Sequence, residues 1–129
     1  MFTLSIELVS QDARGEIYAI KLPDDQELML LHSKKGTLRG GHSHDVDEIV
    51  VVLSGCMRYH KLGEPSGIPK DSWLWGAGYS FNPAGMIHMG EFKEDTWLIE
   101  YKLNTKRGEW RNDDYAPWRQ QVQANAAGE

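Results

Sequence analysis

The sequence predicts a single all-β domain, built as a sandwich or a barrel of short strands. Apolar and polar residues alternate with a period of two in one segment after another, which is typical of half-buried strands. Roughly ten such segments are separated by turns rich in Gly, Pro, Asp and Ser, with no helical stripe between them. The length of 129 residues is that of one ordinary domain with one core.

The predicted strands follow one another along the chain with only short turns between them. In the first, Phe2, Leu4, Ile6 and Leu8 alternate with polar residues. The strands are, in order, "FTLSIELV" (2–9), "EIYAIKL" (16–22), "ELMLLHS" (27–33), a strand carrying His42 and His44, "EIVVVL" (48–53), "CMRYHKL" (56–62), "SWLW" (72–75), "YSF" (79–81), "MIHMGEF" (86–92) and "TWLIEYKL" (96–103).

Two predictions concern the end of the chain. In "TWLIEYKL" we expect Trp97, Ile99, Tyr101 and Leu103 to face inward, which would bring Trp97 or Tyr101 close to a pocket wall. Pro117 is expected to open a short helix through "WRQQVQAN", with the last residues fraying.

Composition excludes several classes of protein. Cys56 is the only cysteine, which rules out an intrachain disulfide and thiolate-rich metal sites. A formal charge of −5 argues against nucleic acid or an anionic membrane as the main partner. The longest apolar run is far shorter than the roughly 20 residues that a bilayer requires, and the N-terminus lacks the basic region of a signal peptide. A cytoplasmic location is the default expectation.

The stretch "HSHDVDE" has the spacing of a metal site. His42 and His44 face the same way on a strand, about 6 to 7 Å apart, so two imidazoles can converge on one ion. Glu48 would lie about 13 Å further along an extended chain, so it joins them only if the chain bends within 45–47. The aspartates there supply suitable turn chemistry. For a further ligand the best source is His88, just after the turn in "NPAGMIHMG".

Read with its flanking glycines, this stretch resembles the complete first motif of the cupin superfamily, G(X)5HXH(X)3–4E(X)6G, from Gly36 to Gly55. The second cupin motif, G(X)5PXG(X)2H(X)3N, is matched in part, at Pro83, Gly85 and His88. Gly78 lies one residue too close to Pro83, and Phe92 stands where asparagine is usual, which puts a packing detail in doubt more than the metal. The resemblance covers about residues 36–92.

The resemblance implies a small double-stranded antiparallel β-barrel of cupin or jelly-roll type, spanning residues 1–129, with one divalent metal ion inside its mouth. The ligands would be His42, His44, Glu48 and His88, a set that leaves coordination positions open for chemistry. Nitrogen and oxygen ligands suit iron, manganese, nickel, zinc or copper. Small cupins are frequently homodimers, and the N-terminal strand is the expected contact, since an exposed strand edge otherwise favours aggregation.

Each candidate residue also has a purely structural interpretation. The histidines and acids of the first motif could be a solvated hairpin rim, and Asp47 could simply cap backbone amides. His32 and His60 have no second ligand at short spacing and are expected to be surface or locally bonded residues. Most of the many aromatic residues are expected in the core or a subunit interface. A metal-dependent hydrolase with a TIM-barrel fold is excluded, because a TIM barrel needs about 250 residues.

The leading functional hypothesis is a metal-dependent dioxygenase acting on a small oxygen-rich organic substrate, with an isomerase or lyase as the alternative. Tyr59, Tyr101 or Asp47 would then move the proton. A non-catalytic module that binds a metabolite is the hypothesis from a different class, since one fold supports many functions.

Overall fold

The computed structural model describes residues 4–62, 70–105 and 110–114, together with Gln120 and Ala124. Within these residues the chain forms eleven strands and one short 3-10 turn, Pro23–Asp25. The strands are β1 (Ser5–Asp12), β2 (Gly15–Lys21), β3 (Glu27–Ser33), β4 (Leu38–His44), β5 (Glu48–Ser54), β6 (Cys56–Leu62), β7 (Lys70–Trp75), β8 (Tyr79–Asn82), β9 (Ile87–Phe92), β10 (Thr96–Lys102) and β11 (Asn112–Asp114). The predicted all-β class is confirmed, and β11 is a strand that the sequence pattern did not reveal.

The strands form two sheets whose neighbours are all antiparallel. The six-stranded sheet has the order β1-β2-β3-β10-β5-β8, and the five-stranded sheet has the order β11-β4-β9-β6-β7. Consecutive strands β4 and β5 lie in different sheets, so the bend between them carries the chain from one sheet to the other. Two antiparallel sheets around one interior give the double-stranded β-barrel that the first motif implied.

The apolar core lies between the two sheets. Val50 and Val52, which follow Glu48 along the inward face of β5, are 1% and 0% exposed. The core cluster comprises Leu31, Val50, Val52, Met57, Tyr59, Leu74, Phe92 and Leu98, with Ile17 and Met29 packed against it. This cluster closes one part of the interior, and the remaining part is the cavity described below.

The prediction of which β10 side chains face inward is wrong, because the alternate set faces the interior. Leu98 is 2% exposed and belongs to the core, whereas Trp97 is 37% exposed. Alternation gave the wrong phase because the apolar side chains of Trp97 and Tyr101 lie on the outer face, while the inward face carries the charged Glu100 and Lys102 beside Leu98.

The N-terminal strand forms as predicted but buries little of its apolar side chain surface. Leu4, Ile6 and Leu8 are 57%, 61% and 51% exposed, because β1 lies at the edge of the larger sheet. Apart from Gln120 and Ala124, the predicted C-terminal helix lies outside the described residues. Among the residues described, no helix has the length and apolar composition needed to cross a bilayer.

Candidate metal centre

The strands that carry the three histidines lie side by side in the five-stranded sheet. β4 and β9 are antiparallel neighbours, and their register places His42 opposite His88. His44 lies two residues beyond His42 on β4, so both side chains point to the same face of the sheet. The fold thus brings the first motif and the partial second motif together on the inner face of one sheet.

The three imidazoles form a compact triangle. The ring centroids of His42 and His44 are 4.8 Å apart, and that of His88 is 4.9 Å from each. One nitrogen from each ring can be chosen so that all three lie within 4.8 Å of one another. His44 and His88 are each 4% exposed, and His42 is partly buried. At this spacing a single ion can contact all three rings.

Glu48 joins the histidines because the chain bends where the sequence required it to bend. Residues 45–47 leave the strand conformation, and β5 begins at Glu48. The Glu48 side chain is fully buried, with Oε2 3.2 Å from His44 Nε2 and Oε1 3.6 Å from His88 Nε2. All four side chains predicted as ligands therefore meet in one place.

Glu48 also has two partners that the sequence did not point to. Lys102 Nζ, on β10, lies 3.2 Å from Glu48 Oε2 and forms a buried ion pair with it. Asn82, at the end of β8, donates from Nδ2 to Glu48 Oε1 at 3.2 Å and to the Tyr59 hydroxyl at 2.7 Å. These contacts fix the orientation of the carboxylate, as groups around a metal ligand commonly do.

The donor set fits a divalent transition metal. Six buried side-chain polar atoms have no hydrogen-bond partner among the described residues, and four belong to this cluster. They are His44 Nδ1 and Nε2, His88 Nε2 and Glu48 Oε2, the last of which forms an ion pair with Lys102 and contacts His44. Because buried polar atoms normally have hydrogen-bond partners, such a concentration of nitrogen and oxygen atoms without hydrogen bonds points to a ligand shared between them.

The protonation states also suit metal binding. Burial raises the pKa of Glu48, but contact with His44 and the charges of His88 and Lys102 outweigh it and lower the pKa to about 2. Burial, opposed in part by Glu48, lowers the pKa of His88 to about 4. At neutral pH the carboxylate is therefore ionised and this imidazole is neutral, which are the forms that bind a metal.

Tyr59, one of the residues predicted to transfer a proton, lies beside the histidine cluster. It is 4% exposed, and its ring centroid is 5.9 Å from that of His88. Burial, reinforced by the charge of Glu48, raises its pKa well above the ordinary value. The phenol therefore stays protonated across the physiological pH range.

Asp47 does not point into the site. Its Oδ1 accepts the backbone N–H of Ala84 at 2.8 Å, and its own carbonyl accepts the N–H of Leu103 at 2.9 Å. The side chain is exposed and ties the first-motif bend to the turn of the second motif. This is the amide-capping role that the sequence analysis held as its structural alternative.

Tyr101 does not line the cavity, because β10 presents the opposite residues to it. The lining residues of this strand are Leu98, Glu100 and Lys102. The sequence analysis missed Glu100 and Lys102 as site residues. Their signal was present in "EYK", where two charged residues at i and i+2 mark one face of a strand otherwise rich in apolar residues.

Glu100 is the one carboxylate among the cavity-lining residues that the structure describes. Burial and the nearby negative charge of Glu48 raise its pKa to about 7. A carboxyl group with that pKa can give or take a proton at neutral pH.

Trp110 closes part of the cavity next to the histidine cluster. Its ring meets that of His44 edge-on with centroids 5.4 Å apart, and Lys102 Nζ lies 3.9 Å from the Trp110 ring centroid. The neighbouring strand β11 pairs with β4, which holds this segment against the site. Trp118, further along the same tryptophan-containing segment of the sequence, lies outside the described residues.

The other two histidines have local partners, as expected. His32 Nδ1 lies 2.8 Å from Glu16 Oε2, and its ring stacks on Trp97. His60 Nε2 forms a hydrogen bond with Glu91. Neither His32 nor His60 lines the cavity.

The three histidines open into a cavity of about 270 Å³ between the sheets. Most of its wall is apolar, and its polar groups converge from a few strands, which is the usual character of a small-molecule site. The apolar lining residues are Ile17, Met29, Leu31, Val50, Met57, Phe92 and Leu98.

Comparisons with known proteins agree with this architecture. No known family model matches the sequence, and no curated protein matches it with significance. Among solved structures, the capsular polysaccharide assembling protein CapF from Staphylococcus aureus superposes with a TM-score of 0.69 at 21% identity, over 88% of this chain and 32% of CapF. The S161A mutant of Bacillus subtilis oxalate decarboxylase superposes with a TM-score of 0.68 at 18% identity, over 92% of this chain and 34% of that chain.

This chain spans about a third of the length of each of these proteins. Hazelnut vicilin is a further structural neighbour, with a TM-score of 0.65 at 11% identity, over 84% of this chain and 34% of vicilin. At such identities the likeness concerns the fold. CapF and oxalate decarboxylase are cupin-fold proteins, and we conclude that this chain has the fold of the cupin superfamily.

Proposed function

We propose that the chain is a metal-dependent enzyme of the cupin type that acts on a small, oxygen-rich organic molecule. His42, His44, His88 and Glu48 would hold one divalent transition metal ion. The observation that carries the proposal is that three imidazoles line a cavity large enough for a small molecule and meet one ionised carboxylate buried behind them. Four protein ligands leave two coordination positions open for a substrate on a six-coordinate ion, whereas they would saturate a tetrahedral one.

A metal in this place supplies either dioxygen chemistry or Lewis-acid polarisation of a carbonyl or enolate, depending on whether it is redox-active. The chain supplies the remaining functions. Asn82 and Lys102 orient Glu48, while the apolar wall excludes water from the bound molecule. Iron, manganese, nickel, zinc and copper all suit these ligands, and affinity order alone does not choose among them.

For proton transfer, Glu100 and Tyr59 are the best-placed groups. Both line the cavity, and Glu100 has a pKa of about 7. Asp47 and Tyr101, the other predicted candidates, receive no support from their positions. The Asp47 carboxylate is held by the Ala84 amide, and the side chain of Tyr101 is not part of the cavity wall.

A dioxygenase is the leading reaction class, and an isomerase or lyase, including a decarboxylase, is the second. Glu100 favours the second class, because those reactions depend on moving a proton between carbon and a protein group. One structural neighbour is named an oxalate decarboxylase. That name belongs to a protein about three times longer, so it indicates a class to assay.

Two measurements test the proposal. Elemental analysis of protein purified without added metal should find about one equivalent of a transition metal. Oxygen consumption would then be screened against small enols, diketones and phenols, with the same panel followed anaerobically by NMR. Oxygen uptake identifies the dioxygenase, and anaerobic turnover identifies the isomerase or lyase. Stoichiometric metal with ligand binding and no turnover in either assay would favour the non-catalytic metabolite-binding module.

We also propose that the chain forms a homodimer through β1. The strand is at the sheet edge, and its apolar side chains Leu4, Ile6 and Leu8 are more than half exposed. Pairing with a second copy would bury these side chains and give hydrogen-bond partners to the backbone N–H and C=O groups at the sheet edge. Light scattering after size-exclusion chromatography should give twice the chain mass, and Ile6→Lys should return it to the monomer.

A further inference from the structure

The cavity has a second unsatisfied polar group, on an arginine that is not one of the metal ligands. Arg39, on β4, is 9% exposed and lines the cavity. Its Nε donates to Ser33 Oγ at 2.7 Å, but its Nη2 is buried without a hydrogen-bond partner among the described residues. Leaving a buried charged donor unpaired is costly, so this nitrogen is suited to an acceptor that enters the cavity.

A second arginine faces the same space. Arg14, in the turn between β1 and β2, lines the cavity and is anchored to Asp12 by side-chain hydrogen bonds as short as 2.6 Å. Burial lowers the pKa of Arg39, and the like charge of Arg14 lowers it further. The Arg14 side chain is 45% exposed and its charge is offset by Asp12, so Arg39 supplies the positive charge that an anion in the cavity would meet.

The positive character of the cavity contrasts with the chain as a whole. The formal charge of the protein is −5. The cavity is nonetheless lined by Arg14, Arg39 and Lys102, with Glu100 as the one opposing carboxylate among the described lining residues. Lys102 is paired with Glu48. Arg39 is therefore the buried cation that remains available to a ligand.

Arg39 lies beside the metal cluster but apart from it. In the pairing of β4 with β9, Arg39 is opposite Gly90, and His42 is opposite His88. Along β9, Gly90 and His88 are two residues apart, so the two pairs lie about 7 Å from each other. The Arg39 side chain then reaches toward Ser33 in the opposite sheet. A molecule that contacts both Arg39 and a metal must therefore span several bonds.

The volume limits the size of that molecule. At about 30 Å³ for each water-sized group, a cavity of about 270 Å³ holds roughly nine such groups. Leu31, Phe92 and Leu98 contribute to its apolar wall. The space suits a compact molecule with an apolar body and one charged end.

We propose that Arg39 forms a carboxylate-binding subsite, and that the molecule on which the site acts is a small organic monoacid with an apolar body of a few carbons. Arg39 Nη2 donates to the carboxylate, and the other end of the acid reaches the metal cluster. A carboxylate is favoured over phosphate because one free guanidinium nitrogen and an apolar wall cannot satisfy a dianion. The assignment of the acid as substrate rests on the proposed function, whereas the subsite itself does not.

The direct test compares two probes of equal shape on the wild-type protein. Hexanoate and hexanamide each have about eight non-hydrogen atoms, and differ in charge. Calorimetric titration of metal-free protein should show hexanoate binding about 10- to 100-fold more tightly, the range expected for a charge-assisted hydrogen bond. Equal affinities, or inorganic phosphate binding as tightly as hexanoate, would overturn the proposal. Metal-free protein is used because a metal could itself bind the carboxylate.

Variants then locate the binding. Arg39→Gln should remove the preference for hexanoate, and Arg39→Lys, which keeps the charge, should retain part of it. Arg58→Gln, on a part-buried arginine paired with Asp71 outside the cavity, should leave the preference unchanged. If Arg39→Gln does not fold, the wild-type probe comparison and Arg39→Lys still decide the outcome. An undiminished preference in a folded Arg39→Gln protein would contradict the proposal.

His44→Ala separates this inference from the proposed function. The variant should lose metal but keep the hexanoate preference of the metal-free protein. Loss of both would place the carboxylate at the histidine cluster and overturn the Arg39 subsite. Conversely, a protein that carries no metal but binds hexanoate through Arg39 would overturn the enzyme proposal while leaving the subsite intact.

Discussion

The two ends of the cavity differ in how they are encoded. At the metal end, His42, His44 and Glu48 come from one short stretch, and their spacing is visible in the sequence. At the other end, Arg39 lies on β4 and Arg14 in the turn between β1 and β2, and the two belong to no spacing pattern. A metal needs several ligands about 2 Å from one point, so it imposes a spacing on the chain. A carboxylate can be held by a single arginine, which leaves no such pattern.

The largest expected effect is at the metal end. His44→Ala should reduce metal affinity by more than about 100-fold, since even groups that only support a ligand change affinity 10- to 100-fold. Stoichiometric metal binding, measured by elemental analysis after dialysis, and any turnover should both be lost.

The control for this variant is His32→Ala. His32 is bonded to Glu16, stacks on Trp97 and does not line the cavity. Its replacement should leave the metal content unchanged. Turnover that survived in His44→Ala would show that the mechanism does not depend on this cluster.

Sequence reasoning went furthest where several residues had to satisfy one constraint. The bend at 45–47 was predicted because Glu48 could not otherwise reach the histidines, and the structure has that bend. The barrel followed from the motif and from the number of short strands. Both predictions rest on distances that the chain itself fixes.

Prediction failed where the inward face of a strand is polar or where a residue acts alone. β10 carries the apolar Trp97 and Tyr101 outside and the charged Glu100 and Lys102 inside, so alternation gave the opposite phase. Glu100 and Lys102 became site residues only once that phase was known. Asn82 became one only when β8 was paired with β5, opposite Glu48.

Gly36 and Gly55, the glycines at the two ends of the first motif, should differ sharply in what they contribute to the stability of the fold. Gly55 has φ +98°, and an added Cβ would lie 2.4 Å from the Asp95 carbonyl oxygen. Gly36 has φ +86°, but an added Cβ would have nothing within 4 Å. Gly36→Ala should therefore lower the free energy of unfolding by about 1 kcal/mol, from backbone strain alone. Gly55→Ala should lower it by about 3 kcal/mol or more, because backbone strain and steric overlap add.

Urea denaturation of the metal-free proteins measures both changes. Equal losses of stability would show that the backbone conformation, rather than the close approach to Asp95 and Thr96, determines the cost. The result would sharpen the comparison of the two ends, because it separates motif positions that shape the backbone from those that bind the metal.

A smaller effect is expected for the residue that orients Glu48. Asn82→Ala removes the donor to Glu48 Oε1 and to the Tyr59 hydroxyl, and should weaken metal binding by about 10-fold. Ser80→Ala is the matched control, because Ser80 Oγ donates to Asn82 Oδ1 and acts on the cluster only through it. Competition with a metal-sensitive dye gives both affinities. Hexanoate binding to the metal-free Asn82→Ala protein should be unchanged, and a parallel loss there would show that the two ends are coupled.

The smallest expected effect concerns Glu100, which lines the cavity that both ends share. The pKa of Glu100 is raised to about 7 in the folded protein, so this carboxyl holds its proton where the unfolded chain has lost it. Its contribution to stability is therefore complete below about pH 4.5 and is lost as the pH rises through 7. The lowered pKa of His88 acts in the opposite direction, since stability falls as the pH drops from 6.5 toward 4.

Comparing wild type with Glu100→Gln separates these opposing contributions, because His88 is present in both proteins. The difference in unfolding free energy should be small near pH 4.5 and should grow in favour of the Gln variant by on the order of 1 kcal/mol at pH 8. Metal-free protein is required, since a bound cation would lower the pKa of Glu100 and remove the effect. If the difference stays constant across this range, Glu100 is ionised throughout. In that case it could not act as a proton donor, and its negative charge would oppose a carboxylate held by Arg39.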